Sequence, residues 1–117
     1  MAKGVKTIIY PVRDIAKAKT LFARLTGVAP EMDQPYYVQF NVDGQQIGLD
    51  PNGHAQGFTG PVTYWQVADV RKALAALVDA GARPHGEVKD VGGGKLIAMV
   101  KDADGNVIGL QQNPAHS

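Results

Sequence analysis

Few side chains in this sequence can move a proton or hold a metal, and their spacing favours neither. Histidine occurs at 54, 85 and 116, and none shares an alternating run with a carboxylate. His54, four residues after Asp50, makes the one pairing of imidazole with carboxylate, a candidate general base or makeshift metal site. Its Gly/Pro-rich surroundings favour a solvated loop instead. Cysteine is absent, which removes thiol nucleophiles, disulfide scaffolds and cysteine-ligated zinc or iron–sulfur sites. Serine occurs only at 117, which removes a conventional serine triad. Gly92-Gly93-Gly94 is followed by a strand-like run, so it lacks the helix whose N–H groups would cradle a phosphate. What remains is the chemistry of aromatic rings and amides: Tyr37, Gln39, Tyr64, Gln66 and Gln111 can stack on a planar ligand and hydrogen-bond to it.

The elements that must position these groups belong to a chain of 117 residues, read as a single domain spanning 1–117. Twelve Lys+Arg against eleven Asp+Glu give a net charge of +1, which argues against a nucleic-acid or membrane-surface partner. No apolar run approaches the ~18 residues of a membrane span, and the N-terminus has no signal-peptide core. A cytoplasmic location is expected.

The sequence is internally duplicated. Val12-Arg13-Asp14-Ile15 matches Val67-Ala68-Asp69-Val70, offset by 55, and Asp43-Gly44…Ile47-Gly48-Leu49 matches Asp104-Gly105…Ile108-Gly109-Leu110, offset by 61. The six extra residues are expected between helix and hairpin, at the Asp90–Gly94 loop. Lys6 to Val12 and Val62 to Val67 read as strands. Asp14 and Asp69 read as helix N-caps, and Gly27 and Gly81 as helix ends. Ile15, Ala18, Phe22 and Leu25 form one apolar stripe, and Val70, Leu74, Leu77 and Ala80 the other. Further strands are expected near Pro30 to Met32, over Tyr36 to Val42 and over Gln46 to Asp50, with Asp43-Gly44 as a two-residue turn. The second copy places them near Pro84 to Lys89, over Lys95 to Val100 and over Val107 to Gln111. The result is an α+β fold of two βαβββ modules, 5–52 and 61–112, joined by a linker over 53–60, with a loose tail over 113–117.

Two βαβββ modules with paired V-x-D and DG-x-x-I-x-L signatures resemble the vicinal oxygen chelate superfamily, which includes glyoxalase I, bleomycin and fosfomycin resistance proteins and extradiol dioxygenases. The resemblance runs over about residues 5 to 112. It implies a curved mixed sheet around a cavity, and a homodimer. It also implies a divalent metal held by a His in the first strand and a Glu in the last strand of each module. The corresponding positions here are Thr7, Val62, Gly48 and Gly109, none of which binds a divalent cation well. No metal, cofactor or catalytic residue is therefore assigned.

Strand alternation then gives the cavity lining: Thr7, Ile9, Tyr37, Gln39, Gly48, Asp50, Val62, Tyr64, Gln66, Gly109 and Gln111. The two glycines are expected to widen the space where metal ligands would sit, and Tyr64 to offer its ring to a ligand. Trp65, on the opposite register, is expected in the core, and Phe58 either covers the cavity or packs at the linker. Lys17, Lys19 and Arg24 read as a solvated helix face. The expected function is metal-independent binding of a small organic molecule, of the bleomycin-resistance type. The alternatives are a lyase, isomerase or dioxygenase using non-standard ligands such as Asp50 and His54, or an accessory domain with a filled interior. A ferredoxin-like sandwich would leave the second DG-x-x-I-G-L hairpin unexplained.

Overall fold

Two aspartates convert strand into helix at corresponding points of the chain. Asp14 is extended, its side chain accepts the Lys17 N–H, and helix α1 runs Ile15–Thr26. Asp69 accepts the Arg71 and Lys72 N–H groups and opens α2, Val70–Asp79. Each carboxylate satisfies donors that the first helical turn leaves without a partner. Gly27, left-handed at φ 73°, closes α1 with its N–H on the Ala23 carbonyl. The computed structural model describes residues 2–114, so the expectations for His116, Ser117 and the end of the tail lie outside the described residues.

The chain divides into two units. The first, Lys6–Val62, holds α1 with β1 (Val5–Pro11), β2 (Met32–Gln34), β3 (Tyr37–Val42) and β4 (Gln45–Asp50). Its strands lie in the order β2-β3-β4-β1, with β1 parallel to β4 and the other pairs antiparallel. The second unit takes residues 2–5 and 63–114 and holds β5 (Val62–Gln66), α2, β6 (Arg83–Pro84), β7 (Lys89–Asp90), β8 (Leu96–Lys101) and β9 (Val107–Gln112). There β5 runs parallel to β9, β9 pairs antiparallel with β8, and β6 and β7 both pair with β8. Residues 3 and 4 extend this unit beyond β5: the Lys3 N–H reaches the Gln66 carbonyl at 2.9 Å, and the Gln66 N–H reaches the Gly4 carbonyl at 3.0 Å. The fold is α+β, one strand–helix–strands pattern used twice.

Differences from the sequence reading are local. The strand expected near Pro84 to Lys89 is two short pieces, β6 and β7, separated by a segment containing Gly86 at φ 81°. The strand expected near Pro30 to Met32 runs Met32–Gln34. Asp43 and Gly44 both have positive φ, 51° and 88°, the turn that matches strand twist in a two-residue hairpin. The second hairpin is longer. Gln39 faces Gly48 and Met99 faces Gly109, so the offset is 60 on β8 (99 − 39) and 61 on β9 (109 − 48). Five of the six extra residues precede β8 and one lies in the Asp102–Asn106 turn, rather than all six at the glycine loop.

Each helix buries one stripe on its sheet. Val38, Phe40 and Leu49 form the buried centre of the first unit, with Tyr10, Val12, Ile15, Ala18, Phe22 and Ala23 against it. Val67, Val70, Ala73, Ala98 and Leu110 form the centre of the second, flanked by Leu74 and Leu77. Leu25 is not part of its stripe: it is 74% exposed, and Ala23 takes the inward position. Ala80 is exposed as well, and Ala73 completes the α2 stripe. The period does not turn Leu25 away, since at about 100° per residue it lies about 60° from Phe22. Its exposure goes with its place in the last turn of α1, next to Thr26 where the helix ends. Trp65 lies on the α2 side of β5 but is 37% exposed rather than core. In the linker, Phe58 is buried, and Gly53 approaches Pro11 so closely that a Cβ would stand 2.9 Å from the Pro11 Cα. Among the described residues, no helix is long and apolar enough to cross a membrane.

Two side chains outside the apolar core hold these elements. The Gln112 Oε1 on β9 accepts the Val70 N–H at 2.8 Å, supplementing Asp69 at the start of α2. Gln112→Ala is expected to cost about 1 kcal/mol in urea unfolding. Asp102 closes the long hairpin by accepting the Asp104 and Asn106 N–H groups and the Asn106 side-chain amide. The Asn106 side chain first, and then its backbone N–H, hold the Asp102 carboxyl below its ordinary range. A carboxylate favoured by the fold adds stability above its unfolded pKa, and this is lost as pH falls through the folded value. The stability difference between wild type and Asp102→Asn is therefore expected to be flat near neutrality and to shrink in acid, read by urea titrations at stepped pH.

Candidate functional site

In the first unit the side chains packed on α1 come from Tyr10, Val12, Val38, Phe40, Val42, Ile47 and Leu49. Alternation therefore turns Thr7, Ile9, Tyr37, Gln39, Gly48 and Asp50 to the other face of the sheet. The Thr7 hydroxyl donates to the Gln46 Oε1 at 2.9 Å, and Thr7 is buried. The Tyr37 hydroxyl donates to the Gln39 Oε1 at 2.8 Å, and the Gln39 Nε2 donates to the Glu31 carboxylate at 2.6 Å. One amide thus links a phenol to a carboxylate, and the charged acceptor strengthens the chain of bonds.

Gly48 pairs with Ile9 on one side and Gln39 on the other, under the Tyr37 side chain. A Cβ at position 48 would stand 2.7 Å from the Tyr37 Cζ and 2.8 Å from its Cε1, inside any real contact distance. With Tyr37 in this position only glycine fits at 48, because the tyrosine occupies the volume of a side chain.

The second unit repeats this arrangement from a different strand. Val67, Ala98 and Leu110 face α2, which turns Val62, Tyr64, Gln66, Met99, Gly109 and Gln111 the other way. Tyr64 pairs directly with Gly109, and a Cβ on that glycine would lie 2.7 Å from the Tyr64 Cε1. The Tyr64 hydroxyl points to the Met99 sulfur at 3.6 Å. In both units a tyrosine covers the glycine of the last strand and directs its hydroxyl at the residue facing that glycine across the hairpin, Gln39 or Met99. The Gln111 Nε2 donates to the Gln66 Oε1 at 3.1 Å, and Gln111 is 2% exposed.

The glycines at 48 and 109 do not widen a cavity as the sequence reading expects; each is filled by an aromatic side chain. Tyr64, 7% exposed, is a packing residue more than an open platform, and Thr7, Val62 and Gln111 are buried too. Ile9, Tyr37, Gln39, Asp50 and Gln66 keep part of their surface accessible. The structure brings Tyr37, Gln39 and Gly48 together in one unit, and Tyr64 with Gly109 and Gln66 with Gln111 in the other. Glu31 and Met99 escaped the sequence reading. Glu31 lies just before a strand of three residues, too short for periodicity to fix which way it faces.

The donor set does not suit a divalent ion. Position 7 offers a hydroxyl bonded to Gln46, position 62 an isopropyl group, and positions 48 and 109 no side chain under a covering tyrosine. Among the described residues, no three of His, Asp and Glu are grouped to hold a metal. The Asp50 Oδ1 accepts the Asn52 N–H at 2.8 Å, so it shapes the turn into Pro51. The His54 Nδ1 is buried with no hydrogen-bond partner. Lys19 is paired with Asp33 at 3.1 Å rather than simply solvated.

Paired strand–helix–strands modules, each with polar and aromatic side chains on the face opposite its helix, define a class of α+β proteins built by duplication. The chain belongs to the glyoxalase/bleomycin resistance protein/dioxygenase superfamily, whose sequence profile matches residues 4–110. No curated protein sequence matches it. Among solved structures it is similar to a superfamily member from Vibrio splendidus 12B01 (18% identity, TM-score 0.72, covering 92% of this chain and 97% of that one). It is similar to methylmalonyl-CoA epimerase from Mycobacterium tuberculosis (19%, TM-score 0.69, 98% and 90%). It also resembles a Mn(II)-bound glyoxalase from Novosphingobium aromaticivorans (17%, TM-score 0.72, 97% of this chain but 40% of that one). At these identities the likeness is one of fold.

The covered glycines make a direct prediction. Gly48→Ala is expected to destabilise by about 1–3 kcal/mol through overpacking. In a Tyr37→Ala background the same change should cost far less, a coupling of roughly 0.5–3 kcal/mol in the double-mutant cycle. Gly109→Ala with Tyr64→Ala should behave alike, measured by urea unfolding.

Proposed function

We propose that this protein binds a small, uncharged organic molecule without a metal, in the manner of the bleomycin-resistance branch of its superfamily. The observation that carries this reading is the pair of tyrosines seated over Gly48 and Gly109, where the superfamily resemblance puts metal-binding carboxylates. A side chain large enough to ligate cannot stand at either position while its tyrosine stays in place. What the first unit's face offers instead is the phenol of Tyr37, the amide of Gln39 and the apolar side chain of Ile9. Its two carboxylates are already engaged, Glu31 by the Gln39 amide and Asp50 by the Asn52 N–H. The second unit's face offers the amide of Gln66. Such a surface recognises a planar or aromatic compound through stacking and a few hydrogen bonds. The Tyr37–Gln39–Glu31 chain holds the amide in one orientation, and this fixes which of its polar atoms faces a ligand.

Two measurements test the proposal. Untagged protein incubated with excess Mn²⁺, Ni²⁺, Zn²⁺ or Fe²⁺ and then desalted is expected to retain well under one equivalent of each by elemental analysis. Retention near one equivalent overturns metal independence and turns attention to His54 and Asp50. Bleomycin and a panel of neutral aromatic compounds are then screened by thermal shift, where saturation at 100 times Kd adds about 2.7 kcal/mol. A compound that carries hydrogen-bonding groups and raises Tm in wild type is expected to lose about 1–3 kcal/mol of binding with Gln39→Ala, and to be recovered chemically unchanged. A transformed compound would mean an enzyme.

A further inference from the structure

The internal duplication supplies a control for a second feature, on the opposite side of the sheet. In the first unit the space between α1 and its strands is filled. Tyr10 and Phe22 meet there with ring centroids 4.9 Å apart, and Val12, Ala18 and Ile47 pack with them around buried Leu49. The counterparts in the second unit, 55 residues on for strand and helix and 61 on for the last strand, are Trp65, Leu77, Val67, Ala73, Ile108 and Leu110. These same six residues line an open pocket of about 220 Å³.

Two differences leave the space empty. Phenylalanine at 22 becomes leucine at 77, so no ring fills the gap from the helix. Trp65 also keeps 37% of its surface exposed. Ala2 completes the lining, held in place because Lys3 and Gly4 pair with Gln66 on β5. No lining residue has an ionisable or hydrogen-bonding side chain except the Trp65 indole N–H. A cavity without polar groups gives water too few partners, and an apolar cavity of about 150 Å³ is already enough to take up benzene.

We propose that this pocket between α2 and the sheet is a binding site for a small uncharged molecule about the size of a single aromatic ring, with Trp65 at its mouth. The site is separate from the Tyr37 and Tyr64 face and does not depend on how that face is used. Charge is excluded because nothing in the lining could compensate it. The size limit follows from the volume, and the ring preference from Trp65, which offers a face or edge to stack against.

Trp65 is the one tryptophan in the chain, so its emission reports the site directly. Toluene titrated into the intact protein is expected to change Trp65 emission saturably and to raise Tm, whereas benzoate, the same ring with a charge, should do neither. Leu77→Phe, which copies the first unit's own filling, should weaken toluene binding at least about tenfold while the protein stays folded. Ile108→Phe fills the pocket from the strand side and serves if the helix substitution impairs folding. Gln39→Ala on the other face should leave the toluene response unchanged. An equal response to benzoate, or an equal response in both filled variants, would overturn the site. An absent response would overturn it too: emission that shifts on protein dilution alone would mean a second copy covers the pocket. Emission indifferent to both toluene and dilution would mean the chain's own N-terminal residues fill it.

Discussion

No side chain can stand at position 48 or 109 while the tyrosine ring over it keeps its place. This exclusion organises the face of each sheet opposite its helix. It fixes glycine in the centre of a last strand, where the lack of a side chain would otherwise only weaken the strand. It sends one phenol to Gln39 and the other to Met99, and it leaves no room for the carboxylates that the superfamily resemblance implies. The two units reach this result by different routes. In one the ring comes along the hairpin from β3; in the other it comes across the parallel pair from β5, at the position that Ile9 holds in the first copy. Similar packing reached from unrelated positions points to a constraint on the filled volume itself rather than to inheritance of one residue.

The fold was largely legible because its signals are local. Asp14 and Asp69 cap the helices that follow them, and the Asp43-Gly44 turn follows from a dipeptide that tolerates positive φ at both positions. Duplication added a second vote, since each weak signature occurs twice at a consistent offset. Strand faces came out correctly too: Tyr10 and Val12 pack towards α1 while Gln39 and Gly48 turn away, as a period of two demands.

The candidate site was legible only as a list of inward residues. A glycine in a sequence reads as space, and whether that space is open depends on a ring arriving from another strand. Tyr37 reaches Gly48 diagonally from β3, a contact no spacing along the chain reveals. Leu25 and Trp65 failed for a related reason. Both sit at the margin of a stripe, where the helical or strand period alone cannot say whether the neighbouring element extends far enough to cover them. Burial is a tertiary property, and periodicity gives only direction.

The pairing of residues 3 and 4 with Gln66 gives the two units different folding histories. The first unit, Lys6–Val62, is one continuous stretch, so all its contacts can form once residue 62 has left the ribosome. The second is discontinuous: its edge beside Gln66 is completed by residues synthesised some sixty positions earlier. Closing that loop is cheaper once the intervening residues are compact. Residues 3 and 4 are synthesised before β5 and can pair only once Gln66 has emerged, so this edge of the second unit is completed late although part of it is made early.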